Sequence, residues 1–234
     1  MKNLICIDSS THQASLAFFQ DGKFLSEEIS LVQRSHSEFV TIALEKISQD
    51  QAVPIKSIDG IAVTVGPGSF TGIRVAIGMA KALGYSNKIP IWTTNSLNVL
   101  RTQVAEERSC FASLNAYKNL VFGAYFEKDQ ISAEPSVFSY EAAALLLDKK
   151  SKNSQVHLIG EGTDLFTDLI SSQIEMKLLC RESTEQLPRA KWLGELYFES
   201  PSSGQTLDWK LINPLYLRGS EAEENHKIHS SENS

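Results

Sequence analysis

Cysteine is scarce in this chain and badly placed for pairing. Its three cysteines, Cys6, Cys110 and Cys180, are odd in number and far apart, with no C-x-x-C spacing. That excludes a disulfide framework and a zinc ribbon, and leaves buried reduced thiols in a cytoplasmic protein as the expectation. Long apolar runs are missing as well. The longest are short, such as Ala142–Leu147, far below the roughly 20 residues of a membrane span, so no membrane partner is expected. The opening MKNLICIDSS carries one lysine and a short apolar run that ends in an acid, unlike a signal peptide. Dense basic clusters are also absent. The net charge is −6, of which the last sixteen residues, GSEAEENHKIHSSENS, carry −3. A nucleic-acid binder working alone shows a basic face, so any RNA contact is expected to come through a partner.

What is present is an ordinary globular composition, 42% apolar and 21% charged over 234 residues, enough for one large domain or two small ones. NLICID reads as a buried central strand. ASLAFF and KFLSEEISLV flank Asp21-Gly22, a hairpin signal. Ser35 and Glu38 form a capping box, followed by Val40, Ala43, Leu44 and Ile47 at helical spacing. IDGIAVTV is a further strand, then come a GPG loop, a helix over Gly72–Gly84 and the strand IPIW. The same order then returns. FASLNA and LVFGAYFE are joined by a turn at Tyr117-Lys118-Asn119, followed by SVFS, the helix YEAAALLLDKK and the strand QVHLIG. After it come a Gly160-Glu161-Gly162 turn, the helix TDLFTDLISS, the strand MKLLC and the helix EQLPRAKWLGELYFES, with Pro188 near its start. Two tandem halves follow, each a mixed sheet flanked by helices. Their spans are 1–98 and 99–218, with a disordered acidic tail over 219–234.

The motif of greatest interest is VGPGSFTGIRVAIGMAKALG, Val65–Gly84. It lacks the lysine of a Walker A loop, and its Gly66, Gly68, Gly72 spacing is one residue too wide for the Rossmann fingerprint. Helix-start N–H groups with Gly66, Gly68, Ser69 and Thr71 are a weak anion site, balanced against a tight turn capped by Ser69 or Thr71. Arg74 stands in the first helical turn, where the macrodipole disfavours a cation, so a compensating carboxylate of this chain, a carboxylate across an interface or a bound anion is expected, an ordinary surface ion pair being the plainest case. Gly72, Ala76, Ala80 and Gly84 recur every four residues beside Ile73 and Ile77. That ridge admits close approach by another helix or by the chain's own sheet. Asp8 reads as a turn cap rather than a metal ligand. His36 has Val40, not a second histidine, four residues on.

Together IDSST, RSHSEFV, GPGSFTGIR with its flanks, and the terminal NPLYLR resemble the TsaB family. This is a branch of the TsaD/TsaB group within the actin-like, ribonuclease H-like fold. The resemblance is dense over residues 1–100, thin to 205, and returns at 214–218. It implies a non-catalytic scaffold in the bacterial machinery that makes N6-threonylcarbamoyladenosine at position 37 of tRNAs reading codons that begin with A. TsaC makes the adenylate, TsaD transfers the group and TsaE is an ATPase. The implied partners are TsaD, TsaE and a second copy of the chain, with tRNA reached only through the complex. No cofactor is expected on this chain alone, and ATP and metal are expected on the partner subunits. TsaD-like proteins bind metal through an H-x-x-x-H pair, which His36 and Val40 do not form. The resemblance tips the small-residue ridge toward a partner interface of Gly72, Ile73, Arg74, Ala76, Ile77, Ala80 and Gly84, with His36 and Val40 beside it. The alternative is an ATP- or metal-dependent enzyme of the same fold, a phosphotransferase or peptidase-like hydrolase. At 115–120 the chain reads NAYKNL where the family often has an Asp, an Arg and a Glu, so any role of those groups is not expected here.

Overall fold

The computed structural model describes residues 2–30, 36–128, 130–151, 155–166, 179–181 and 187–219. The first half contains β1 (Asn3–Asp8), β2 (Ser15–Gln20), β3 (Lys23–Ile29), α1 (His36–Asp50), β4 (Gly60–Thr64), α2 (Phe70–Asn87), β5 (Ile91–Thr94) and α3 (Ser96–Arg101). The second contains β6 (Ser109–Asn115), β7 (Leu120–Glu127), β8 (Gln130–Ser139), α4 (Tyr140–Ser151), β9 (Val156–Ile159) and β10 (Leu179–Arg181). The chain then runs through α5 (Ala190–Glu199) to a short strand, β11 (Gln205–Leu207).

The strands form two sheets, ordered β11-β5-β4-β1-β2-β3 and β10-β9-β6-β7-β8. Without β11 these are one topology used twice. In each, a central strand pairs antiparallel with its hairpin neighbour and parallel with the strand that returns after a helix. This is the duplicated arrangement of mixed sheets that the repeated element order predicts. The central strands read as apolar runs because both faces are covered. Ile5 and Ile7 enter the core under α1 and α2, while Leu4 and Cys6 enter the core under α5, as the two-residue period of a strand requires.

The C-terminal part departs from the sequence reading, which places 190–207 in the second half. Here α5 packs on β1, β2 and β4 of the first sheet, and β11 extends that sheet antiparallel to β5. The reason lies in complementary faces. Ala190, Leu193 and Leu196 meet Leu4, Ala17, Phe19 and Trp92, the side that α1 and α2 leave open. A Cβ on Gly194 would lie 2.1 Å from the Phe19 ring, so only glycine lets the helix seat. Arg189 then pairs with Glu27, whose side chain is 3% exposed, and the Lys191 N–H donates to Glu27 Oε1 at 3.0 Å. A split at residue 98 therefore does not divide the chain into two independent stretches, because it cuts α3 and because 190–207 return to the first sheet. Ser35 of the expected capping box and the tail from 220 lie outside the described residues. The expected helix over 163–172 starts as a 3-10 turn, Glu161–Leu165, and its remainder also lies outside them.

Candidate functional site

The two halves face each other across a cleft. From the first half come the turn after β1, the GPG loop and the start of α1. From the second come the β6–β7 turn and the turn after β9. The β1 turn is built on Asp8, which is fully buried. Its carboxylate accepts Thr64 Oγ1 at 2.5 Å, Ser10 Oγ at 3.1 Å and the Ser10 N–H at 3.2 Å. Burial pushes this carboxyl up to about 6, against the opposing effect of those hydrogen bonds. Asp8 is thus the turn cap that the sequence suggests.

The GPG loop is clamped onto this turn. Ser69 donates its N–H to the Ser10 carbonyl at 2.7 Å, and Ser9 Oγ donates to the Gly72 carbonyl at 2.7 Å. Ser69 is the N-cap of α2, its Oγ accepting the Gly72 N–H at 3.2 Å. Gly66 and Gly68 have φ of 106° and 150°, and a Cβ on Gly68 would sit 2.0 Å from the Ser10 carbonyl oxygen. The glycines let two backbones touch. The terminal NPLYLR segment closes over the loop. The Leu215 N–H donates to the Val65 carbonyl at 2.7 Å, and the Tyr216 ring stacks on Phe70 at 4.8 Å. Arg218 reaches across to the Ala116 carbonyl in the second half. The partner expected for Arg74 proves to be aromatic. Its guanidinium lies 3.9 Å over Phe70, and its Nε donates to Tyr216 Oη at 2.7 Å.

Two neighbouring hollows share Gly68, Ser69 and Tyr117 in their linings. One, of ≈190 Å³, is lined by Ser10, Thr11, His12, His36, Asn115 and Glu161 among others. The other, of ≈290 Å³, lies between Ser69–Thr71, the β6–β7 turn and the 215–219 segment. His12 Nδ1 stands 3.4 Å from Glu161 Oε2, across the cleft. Burial lowers the His36 imidazole below its ordinary range, the Thr11 backbone hydrogen bond opposes this, and His12 adds to it. Tyr117, Lys118 and Asn119 take φ of 59°, 53° and 60° in succession, a left-handed turn that only asparagine among them adopts readily. Among the described residues no group of three or more His, Cys, Asp or Glu is placed to hold a metal ion.

The family described as tRNA N6-adenosine threonylcarbamoyltransferase, TsaD, matches residues 29–226. The chain belongs to this family. Two relatives named tRNA threonylcarbamoyladenosine biosynthesis protein TsaB align along nearly their whole length. The one from Bacillus subtilis is 25% identical over 232 residues, covering 94% of this chain and 96% of its own. The one from Escherichia coli is 23% identical over 229 residues, with the same two coverages, 94% and 96%. A crystal structure described as an uncharacterized protein with similarity to peptidase YeaZ, from Pseudomonas aeruginosa, has the same fold. It superposes with a TM-score of 0.78 at 22% identity, over 93% of this chain and 100% of that one.

For this TsaD-family chain the small-residue ridge needs correcting. Ala76 and Ala80 are 0% exposed, Ile73 1% and Ile77 4%. All four belong to the core between α2 and the first sheet. A Cβ on Gly72 would meet the Ser9 carbonyl oxygen at 1.9 Å, and one on Gly84 would meet Ile91 Cδ1 at 2.8 Å. The foreign backbone that the ridge admits is the chain's own. Val40 is buried in the same core, and His36 lines the cleft rather than the outside of α1. Only Arg74 of the expected interface residues is exposed. The outward face of α2 carries Val75, Gly78, Met79 and Ala82 instead, and α1 adds Ile42, 43% exposed. A Cβ on Gly78 would touch nothing within 4 Å. Spacing alone could not tell these two α2 stripes apart, because both are rich in small residues. Nor could it place His12, Asn115 and Glu161 together.

Proposed function

We propose that the chain is a non-catalytic scaffold of the machinery that forms N6-threonylcarbamoyladenosine at position 37 of tRNAs reading codons that begin with A. It acts by pairing with a TsaD subunit, and in the partner's absence with a second copy of itself. ATP and metal belong to the partner subunits, a TsaE-type ATPase among them, and tRNA is engaged in the assembled complex in the cytoplasm. The observation that carries the inactive reading is Val40. A metal-binding relative needs a second histidine four residues after His36, and this chain puts a valine there, inside the core. What supports pairing is the outward face of α2, where Gly78 leaves room for a second helix to approach.

The alternative enzyme would use the cleft between the halves. Calorimetric titration with ATP and Mg²⁺ separates the two, since tight binding by the isolated chain favours the enzyme. The decisive test is reconstitution of tRNA modification with TsaC, TsaD and TsaE. Modification is expected to need this chain, and a Gly78→Arg variant is expected to stay folded, lose pairing and lose activity. Full modification without the chain would end the scaffold reading.

A further inference from the structure

The sequence has no basic cluster, yet the fold assembles one. Arg74 and Lys81 stand seven residues apart on α2, and Lys88 is its left-handed C-cap. Seven residues complete nearly two turns, so Arg74 and Lys81 share one edge of the helix about 10 Å apart, and Lys88 stands just past its end. That edge runs along the returning chain, since Arg74 contacts Tyr216 and the Tyr85 ring meets Trp209 edge-on at 5.2 Å. At its C-terminal end lies a groove of ≈480 Å³, lined by Tyr85, Lys88, Ile89, Pro90, Trp209 and Lys210 together with Gly84 and Asp208. Tyr85 is 67% exposed, and Lys88 and Lys210 are exposed as well. Asp208 is the only acid among the described lining residues, and its carboxylate accepts the Lys210 N–H at 2.9 Å.

We infer that this groove is an RNA contact, taking a tRNA strand with phosphates on Lys88, Lys210 and Lys81 and a base against Tyr85. The inference rests on the tRNA-modification reading and adds to it, because it gives the scaffold its own hold on the substrate. Cations interleaved with an exposed aromatic ring match a nucleic-acid strand, whose phosphates need charge and whose bases need a flat partner. An acidic peptide would use the lysines and leave the exposed part of the Tyr85 ring uncovered. The patch is too small to hold RNA alone on a chain of net charge −6, so the contact is made within the complex.

The test uses the full chain paired with a TsaD partner, and tRNA affinity measured across a salt series. The double variant Lys88→Glu/Lys210→Glu is expected to pair normally, to bind tRNA at least about tenfold more weakly, and to lower the salt slope by about 2, near one for each phosphate no longer neutralised. Tyr85→Ala is expected to weaken binding with the slope unchanged. Unchanged affinity and slope, with pairing and modification intact, would overturn the RNA contact and spare the scaffold reading. Loss of pairing in the double variant would also overturn it, by marking the groove as a protein-docking face. A wild-type chain that fails to pair at all sinks both readings, and the pairing control identifies that case.

Discussion

Three glycines on α2, each replaced by alanine, should give three different outcomes. At Gly78 the added methyl meets nothing within 4 Å. The helix gains alanine's propensity, so stability should rise by about 1 kcal/mol, or roughly 2–4 °C in Tm for a chain of this size. At Gly84 the methyl would sit 2.8 Å from Ile91 Cδ1, in a residue with 0% exposure. Overpacking there costs about 1–3 kcal/mol, and the propensity gain offsets part of it, leaving a loss of roughly 0–2 kcal/mol. At Gly72 the clash is with backbone, 1.9 Å from the Ser9 carbonyl oxygen. The start of α2 must then lift from the β1 turn. Ser9 Oγ loses the Gly72 carbonyl and Ser69 N–H loses the Ser10 carbonyl. With about 1 kcal/mol for each bond and the overpacking term, the expected loss is roughly 3–5 kcal/mol. Urea denaturation and thermal melts of the three variants under one buffer provide the assay. Destabilisation by Gly78→Ala, or tolerance of Gly72→Ala, would refute the assignment of the two faces of α2.

Other expectations test separate parts of the fold. Asp8 has its carboxyl raised from 3.8 to about 6, so the folded state holds a proton that the unfolded chain has lost between those values. Its contribution is therefore fully present below pH 3.8 and lost as the pH rises through 6. Asp8→Asn should be more stable than the native chain at pH 7.5, by up to roughly 3 kcal/mol. It should also flatten the fall in stability between pH 4 and 6.5, and a less stable variant at pH 7.5 would show the charge to be needed. Arg189→Ala leaves the Glu27 carboxylate buried without its cation, and should cost about 3–5 kcal/mol in urea denaturation. Adding Glu27→Gln to Arg189→Met should recover most of that loss, unless the pair has a role beyond seating α5.

The duplicated topology was legible because its signals are local. Asp21-Gly22 and Tyr117–Asn119 mark the hairpins, and the apolar runs of β1, β4, β6 and β9 mark strands covered on both faces. β11 was not legible, being three residues long with Gln205 and Thr206 exposed. The destination of α5 was hidden for a different reason. Chain order says which helix follows which strand, but not which sheet has an uncovered face. The α2 ridge shows the same limit. Spacing reveals that side chains are small along a line, and the object pressed against that line is a matter of tertiary structure. Arg74 waited for an acid or an anion in the sequence, and its partner was Tyr216, 142 residues away.

That last contact changes how the signature itself should be understood. GPGSFTGIR and NPLYLR lie far apart in the sequence, Arg74 and Tyr216 being 142 residues apart, and form one joint. Phe70 and Arg74 from the first motif, with Val65 just before it, hold Leu215 and Tyr216 from the second, and Arg218 anchors the joint to Ala116 in the other half. Part of the loop's hydrogen-bonding capacity is already committed, since Ser69 N–H serves Ser10 and Gly72 N–H serves the Ser69 cap. A glycine loop whose amides bind its own chain has less to offer an anion than one whose amides face solvent. The same residues that suggest a phosphate cradle therefore fasten the two halves to each other. A firm joint is what the proposed scaffold role requires. Tyr216→Ala should loosen it, seen as faster hydrogen exchange in both the GPG loop and the 115–120 turn, whereas a change confined to the loop would show that the joint does not reach the second half.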